Sequence, residues 1–218
     1  MTRVLAVADE VVESLWSQQV RRHAPDLLVA CGDLPFDYLE YLVSTLDVPA
    51  VFVPGNHDPD VGGVRQSRAG LPVRDGLPAV PVGPAGLVNA DRRIVDAAGL
   101  RLAGLGGCLR YRPGPNQYSQ RQFAGRARSL RRRAAARKWR DGQAVDILLT
   151  HAPPAGLGDE EDLPHRGFTA LHDLVERLRP ALLLHGHIHP HGIPRPDRMM
   201  GATRVCNVVG YRLIDLPD

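Results

Sequence analysis

Residues 48–58 have the sequence Val-Pro-Ala-Val-Phe-Val-Pro-Gly-Asn-His-Asp. Branched and aromatic side chains dominate the first six positions, and Pro and Gly close them, which is typical of a buried strand that ends in a turn. Asn56, His57 and Asp58 follow directly. Because open α/β sheets bind ligands at the carboxyl ends of their strands, this stretch predicts a strand that delivers polar side chains to a site.

Four other apolar segments also end in residue types that can bind a metal ion. They are residues 4–8 before Asp9, 26–31 before Asp33, 144–150 before His151, and 181–184 before His187 and His189. Helical spacing of apolar residues falls between several of these strands, at residues 12–23, 36–46 and 167–178. The alternation of strand, helix and strand favours a largely parallel sheet.

The remaining segments are less regular. Residues 61–86 are rich in Gly and Pro and predict loops with short extended pieces. Residues 86–105 predict two short strands around a turn at 97–99, and residues 204–214 predict strands at one edge of the sheet. The polar segment 106–118 is too long for a simple connector, and such loops often carry function.

Length and composition indicate one domain over residues 1–218. The chain has 218 residues, of which 44% are hydrophobic, enough to bury a substantial core. It contains no apolar run near the roughly 18 residues that span a bilayer, and no signal-type segment, so we expect a soluble cytoplasmic protein without a membrane partner. Its three scattered cysteines indicate neither a disulfide framework nor a thiolate metal site.

Basic residues are concentrated in residues 121–140. This segment holds eight arginines and one lysine with no acidic residue, whereas the rest of the chain has 18 basic and 24 acidic side chains. Leucine and alanines among the arginines predict an exposed helix. Two interpretations stay open: a solvated face that aids solubility, or a surface that attracts a polyanionic substrate or nucleic acid.

Together, the five strand ends carry a set of side chains suited to a metal ion. The candidate ligands are Asp9, Asp33, Asn56, His151, His187 and His189. A single histidine after a strand is more often a hydrogen-bonded structural residue, but five such ends in one chain outweigh that interpretation. Carboxylate, imidazole and amide ligands without thiolate suit Mn, Fe, Zn or a related divalent ion at a site open to water.

Four motifs carry a family resemblance. They are Gly32-Asp33, Gly55-Asn56-His57-Asp58, Thr150-His151 and Gly186-His187-Ile188-His189, in this order. They resemble the signature of the calcineurin-like metallophosphoesterases, and residues 151–159 resemble the small single-domain branch that includes the brain metallophosphoesterase-domain proteins. The resemblance implies an α/β fold, a four-layer α/β/β/α sandwich of two mixed sheets flanked by helices, with a dinuclear metal centre at the sheet edge.

The resemblance also implies a role for each candidate. Asp9, Asp33 and His189 would hold the first metal, and Asp33, Asn56, His151 and His187 the second, with Asp33 shared. His57 would act as the catalytic residue that donates a proton to the leaving oxygen or stabilises its charge. Asp58 would orient the turn, pair with His57 or cap a helix. His185 and His191 receive no ligand role, and no substrate-binding residue is assigned.

One position departs from the family pattern. The first motif of the family is Asp-x-His, but Val11 occupies the place of the histidine. Valine cannot coordinate a metal, and Glu10 would point to the opposite face from Asp9 in an extended segment. We therefore expect solvent to complete the first site and leave it weaker than the second.

The resulting prediction is a metal-dependent phosphoesterase. It would hydrolyse a phosphodiester or a nucleotide-type phosphate ester, a small anionic substrate, by attack of a metal-bound hydroxide with manganese or a similar ion. One alternative is a nuclease that uses the basic helix 121–140. Another is a catalytically weak or inactive protein-interaction module, which is what the retromer subunit of this fold resembles. Val11 favours this alternative, and the otherwise complete ligand set argues against it.

Overall fold

A computed structural model describes residues 1–62, 65–66, 72–74, 76–79, 82–190, 192 and 195–217. Its strands are β1 Thr2–Ala8, β2 Leu27–Ala30, β3 Ala50–Phe52, β4 Arg65–Gln66, β5 Pro72–Arg74, β6 Leu77–Pro78, β7 Val88–Asn89, β8 Ile94–Ala97, β9 Leu100–Leu105, β10 Cys108–Leu109, β11 Gln117–Tyr118, β12 Ile147–Thr150, β13 Leu182–His185, β14 Arg198–Met200, β15 Thr203–Asn207 and β16 Gly210–Leu216. The α-helices are α1 Phe36–Leu46, α2 Gln120–Asp141 and α3 Ala170–Leu178, and short 3-10 helices cover Gln18–His23 and Leu163–His165.

Two large mixed sheets form the centre of the molecule. The first has the strand order β16-β1-β2-β3-β7, in which only β16 runs antiparallel to its neighbour. The second has the order β14-β15-β13-β12-β9-β8, with parallel inner strands and an antiparallel strand at each edge. Two smaller groups, β4-β5-β6 and β10-β11, lie outside them.

Side chains that alternate along β1 show how the layers stack. Val4 and Ala6 share one buried cluster with Leu149 of β12, so the two sheets pack face to face. Leu5 and Val7 point the other way, into a cluster with the buried side of α1. Helices α2 and α3 cover the outer face of the second sheet. The order of layers is the expected four-layer α/β/β/α sandwich of two mixed sheets.

This topology gathers the predicted strand ends. Strands β1, β2 and β3 are neighbours in the first sheet and lead to Asp9, Asp33 and Asn56. Strands β12 and β13 are neighbours in the second sheet and lead to His151 and His187. The parallel strands of each sheet present their carboxyl ends side by side, so polar residues from both sheets reach one region.

The helix expected over residues 12–23 is wrong. The structure has turns there, followed by the 3-10 helix Gln18–His23. The Ser17 hydroxyl accepts a hydrogen bond from the Gln19 amide and donates one to the Ser14 carbonyl. Serine hydroxyls compete for backbone groups in this way and weaken an α-helix whose apolar spacing is otherwise suitable.

The tail also differs from its prediction. Instead of adding strands at one edge, β15 lies inside the second sheet between β14 and β13, and β16 forms an edge of the first sheet. An alternating pattern predicts strands without showing which sheet they join. The two strands expected within 86–105 are confirmed as β8 and β9. Of residues 61–86, the described part includes β4, β5 and β6, and positions 63–64, 67–71, 75 and 80–81 lie outside the described residues.

In the described ranges, no helix combines the length and apolar character needed to cross a membrane.

Candidate metal centre

Four of the predicted ligands meet where the strand ends converge. Asp9, Asp33, His151 and His187 each offer one ligand atom, and these atoms lie within 4.8 Å of one another. His151 is fully buried, and the side chain of Asp33 is 8% exposed. Two carboxylates and two imidazoles in a largely buried group form a donor set that suits a divalent cation.

Three of these four residues adopt an uncommon backbone conformation. The φ angles of Asp9, Asp33 and His187 are 59°, 58° and 69°. A non-glycine residue adopts the left-handed region at an energetic cost, and such residues concentrate at functional sites. Each of these residues comes just after the end of a strand, so the extended backbone is interrupted next to the shared site.

Glycines allow the turns after β2 and β3 to contact each other. Gly32 has a φ of 95°, and a Cβ there would lie 2.3 Å from the amide nitrogen of Gly55. The Asp58 carboxylate accepts hydrogen bonds from the amides of Gly55 at 2.7 Å and of Asp33 at 3.1 Å. Asp58 therefore orients the two turns. The sequence had left this role open beside pairing with His57 and capping a helix.

The hydrogen bonds of His151 show where a cation fits. Its Nδ1 lies 2.7 Å from the carbonyl oxygen of Cys31, which can only accept, so Nδ1 donates. Its Nε2 lies 3.0 Å from Asn56 Oδ1 and 3.2 Å from Asp33 Oδ2. A lone pair on Nε2 would face two oxygen acceptors. A positive charge at this point, either a proton or a metal ion, satisfies all three atoms.

The pKa values of His151, Asp33 and Asp9 reflect the same contacts. Burial lowers the pKa of His151, but the charge and hydrogen bond of Asp33, with the charge of Asp9, outweigh it and raise the pKa to about 9. Burial raises the pKa of Asp33, but the charge and hydrogen bond of His151 outweigh it and lower the pKa to about 2. Burial raises the pKa of Asp9 to about 6. The site thus stabilises positive charge among its oxygens.

His187 has one ring nitrogen left for a ligand. Its Nε2 donates to the carbonyl oxygen of Pro164 at 2.8 Å, so Nδ1 is the atom that remains. Burial is the main cause that lowers the pKa of His187, to about 3, so the ring is neutral and can offer its lone pair. Its backbone amide donates to Asp9 Oδ2 at 2.9 Å and joins the ends of β1 and β13.

His189 lies outside that group of four and contacts Glu10. The distance from His189 Nδ1 to Glu10 Oε1 is 2.9 Å, and the His189 side chain is 41% exposed. The expectation that Glu10 points away assumed an extended backbone, but the left-handed turn at Asp9 changes its direction. Val11 is 37% exposed. The sequence pattern carried no signal for this contact.

Asn56 and His57 are held by their neighbours. Asn56 is 4% exposed, and its Nδ2 lies 3.5 Å from the Tyr111 hydroxyl. The side chain of His57 is exposed, while its backbone amide donates to Asp33 Oδ1 at 2.8 Å. Tyr111 belongs to the segment 106–118, which was expected to be a loop that carries function and which instead includes the paired strands β10 and β11. His185 is buried beside the site with its Nδ1 on the Gly186 carbonyl, and His191 lies outside the described residues.

The arginine-rich helix is confirmed as α2, but only part of its surface is free. Its apolar side, which includes Phe123 and Leu130, is buried against the second sheet. Among the described residues, four of the eight arginines within 121–140 make ion pairs: Arg126 with Asp91, Arg131 with Asp173, Arg137 with Asp96 and Asp141, and Arg140 with Asp141. Three acids that are distant in sequence, together with Asp141 at the end of α2, therefore offset part of the charge.

Fold and site together define a metal-binding protein built on an α/β/β/α sandwich. The family model for calcineurin-like phosphoesterases matches residues 6–191, and the chain belongs to that family. The family implies a dinuclear metal centre and metal-dependent hydrolysis of phosphate esters.

Solved structures support the fold. The crystal structure of TT1561 of Thermus thermophilus is similar with a TM-score of 0.61 and 18% identity, over 98% of this chain and 94% of that one. Another crystal structure is similar with a TM-score of 0.62 and 15% identity, over 98% of this chain and 95% of that one. The curated proteins include no match at a significant level.

Proposed function

We propose that this protein hydrolyses a phosphodiester or a nucleotide-type phosphate ester. The observation that carries the proposal is the convergence of four ligand atoms within 4.8 Å, with His151 Nε2 facing two oxygen acceptors. Membership of the phosphoesterase family supplies the reaction class. Cytoplasmic location and a single domain over residues 1–218 stay predictions of the sequence.

We assign the two metal ions by the family pattern. Asp9, Asp33 and His189 would hold the first ion, and Asp33, Asn56, His151 and His187 the second; Mn, Fe or Zn suits these ligands. Two divalent ions would lower the pKa of water to give a nucleophile and would offset the negative charge of the phosphate. Cys31 fixes the imidazole of His151, and Tyr111 contacts the amide of Asn56.

His57 is the proposed proton donor. Its backbone amide is anchored on Asp33, so its side chain stays beside the ligands while it is exposed to a substrate. An imidazole in that place can protonate the leaving oxygen or stabilise the charge on it.

Hydrolysis of bis-p-nitrophenyl phosphate and p-nitrophenyl phosphate tests the proposal. We expect turnover with Mn²⁺, Fe²⁺ or Zn²⁺, loss of turnover with EDTA, and a higher rate with the diester. Absence of turnover with every metal would contradict the enzyme proposal and favour the protein-interaction module. A higher rate with the monoester would contradict the diester preference alone.

We further propose that the first metal site is the weaker one and that Glu10 supports it. Val11 removes one ligand, while Glu10 accepts a hydrogen bond from His189 Nδ1 and leaves Nε2 for the metal. A carboxylate behind a histidine ligand fixes the ring and raises its basicity.

Calorimetric titration with Mn²⁺ checks this arrangement. We expect two unequal affinities in the wild type. Glu10→Ala should reduce the affinity of the weaker site for Mn²⁺ by about 10- to 100-fold. Glu10→Gln should reduce that affinity less, because the amide oxygen still accepts a hydrogen bond from His189. Glu13→Ala, at an exposed position nearby, is the matched control. Two equally tight sites in the wild type, or no difference between Glu10→Ala and Glu13→Ala, would overturn the proposal.

A further inference from the structure

A polar pocket of about 480 Å³ lies next to the loop that carries His57. Its charged lining consists of Asp60, Asp91, Arg92, Arg93, Arg126 and Arg133. These residues come from three separate parts of the chain: the segment after His57, the segment between β7 and β8, and α2. The pocket is distinct from the cluster of candidate metal ligands and is not accounted for by the proposed reaction.

The charges in this pocket leave an excess of positive charge. Asp91 is engaged by Arg126 Nη2 at 2.6 Å and by the amide of Gly106 at 2.8 Å, so its charge is offset within the protein. Within the described ranges, Arg92, Arg93 and Arg133 form no ion pair, and all three are exposed at the pocket. Four guanidinium groups therefore face two carboxylates around one cavity.

Arg126 is held in place and keeps an unused donor. Its guanidinium lies 4.0 Å from the ring centre of Tyr118, and its side chain is 13% exposed. Its Nε is buried and has no hydrogen-bond partner among the described residues. A buried donor without a partner is costly, and an anion in the pocket would lower this cost by compensating the positive charge of the guanidinium group.

The pocket is joined to the candidate metal centre by Asn116. This residue lines the pocket, and its Nδ2 donates to the carbonyl oxygen of Asp58 at 3.1 Å. Asp58 in turn holds the turns of Gly55 and Asp33. Asp60 lies three residues after His57 in the sequence. An extended anionic substrate at the metal centre would therefore have this pocket beside it.

We propose that the pocket binds a second phosphate group of the substrate, apart from the phosphate that is hydrolysed. This inference rests on the proposed function for the reacting phosphate. It narrows the substrate to a molecule with two or more phosphates, either an oligonucleotide or a small nucleotide with a further phosphate. Guanidinium groups suit phosphate because their planar donors can bind two oxygens at once.

The pocket gives a more specific account than the overall basicity of α2. Arg131 and Arg137 are paired with acids on the protein, and of the arginines in α2 only Arg126 and Arg133 line this pocket. Arg132 is adjacent to Arg133 in the sequence, is exposed and does not line the pocket. It therefore provides a matched control for charge at a position outside the pocket.

The test is equilibrium binding in EDTA, without turnover. The probes are a fluorescein-labelled single-stranded octathymidylate, followed by anisotropy, and pyrophosphate, followed by calorimetry. The variant combines Arg92→Asn with Arg133→Ala; asparagine is chosen because position 92 has a φ of 58°, which asparagine tolerates. We expect this variant to bind at least one probe about 10-fold or more weakly, and Arg132→Ala to stay within about 2-fold of wild type.

Salt dependence separates a discrete phosphate contact from general attraction. For octathymidylate, the slope of log K against log[salt] should fall by about 0.7 for each phosphate that the double variant no longer binds. If the double variant binds both probes, or octathymidylate alone, more weakly, the substrate is a nucleic-acid strand. If it binds pyrophosphate alone more weakly, the substrate is a small nucleotide. Either result supports a binding site for a second phosphate. Unchanged binding of both probes, or an equal weakening in Arg132→Ala, overturns the inference.

Failure here and failure of the proposed function are distinguishable. If the protein binds anions through Arg92 and Arg133 but hydrolyses no ester, the anion-binding pocket is supported and the enzyme proposal is contradicted. If the protein hydrolyses bis-p-nitrophenyl phosphate but these substitutions have no effect on anion binding, the enzyme proposal is supported and the phosphate-binding pocket is contradicted.

Discussion

Replacing Asp33 with Asn should lower kcat/KM for bis-p-nitrophenyl phosphate by about 10³-fold or more, measured with Mn²⁺. One Asp33 oxygen lies 3.2 Å from His151 Nε2, and the other accepts the His57 amide. Asparagine keeps the size of the side chain but removes the negative charge that is proposed to be shared by two cations. Loss of a bound cation removes several kcal/mol of transition-state stabilisation, and each 1.36 kcal/mol corresponds to about tenfold in rate.

Asp47→Asn is the control for this substitution. Asp47 also adopts a positive φ, of 54°, and it ends α1 away from the candidate ligands. The metal content of both variants should be measured together with their rates. We expect Asp47→Asn to retain activity and metal, and Asp33→Asn to lose both. Full activity in Asp33→Asn would exclude a bridging role for this carboxylate.

The sequence predicted the framework of the site because buried parallel strands have a strong signature. The strands before Asp9, Asp33 and Asn56 consist largely of apolar residues that are buried on both faces, and each is followed within four residues by a polar candidate ligand. Parallel order then places such ends side by side. The position of a ligand at the end of a strand could therefore be predicted without knowledge of any contact.

The contacts that orient the ligands could not be predicted in the same way. Pro164 binds the ring of His187, and Cys31 binds the ring of His151, but both do so through backbone carbonyls. Every residue has such a carbonyl, so the residue type gives no signal. These interactions depend on which loops the tertiary fold brings together.

Glu10 shows how one backbone angle changes the interpretation. Alternation of side chains holds only while the chain is extended, and it ends at Asp9, where φ is 59°. Aspartate tolerates the left-handed region better than most residues, but an aspartate at a position does not require that the backbone adopt this conformation. The replacement of a histidine ligand by Val11 therefore stays a prediction of the sequence, whereas the expectation that Glu10 points away from the site is wrong, because Glu10 contacts His189.

The last consequence concerns His57, whose structural and chemical roles are separable. Its described hydrogen bond to the ligands uses the backbone amide, which alanine retains. We expect His57→Ala to lower kcat for bis-p-nitrophenyl phosphate by about 10²- to 10⁴-fold, the usual range for loss of a general acid. Metal content and the melting temperature should stay close to wild type. His172→Ala, an exposed histidine on α3, is the control.

The leaving group distinguishes proton donation from simple positioning. Nitrophenolate leaves readily without a proton, whereas phenolate is more basic and needs one more strongly. If His57 protonates the leaving oxygen, His57→Ala should impair hydrolysis of diphenyl phosphate more than that of bis-p-nitrophenyl phosphate. An equal loss with both esters would show that the imidazole positions the substrate or stabilises charge without transferring a proton. Loss of bound metal in the variant would instead make His57 a support of the metal centre itself.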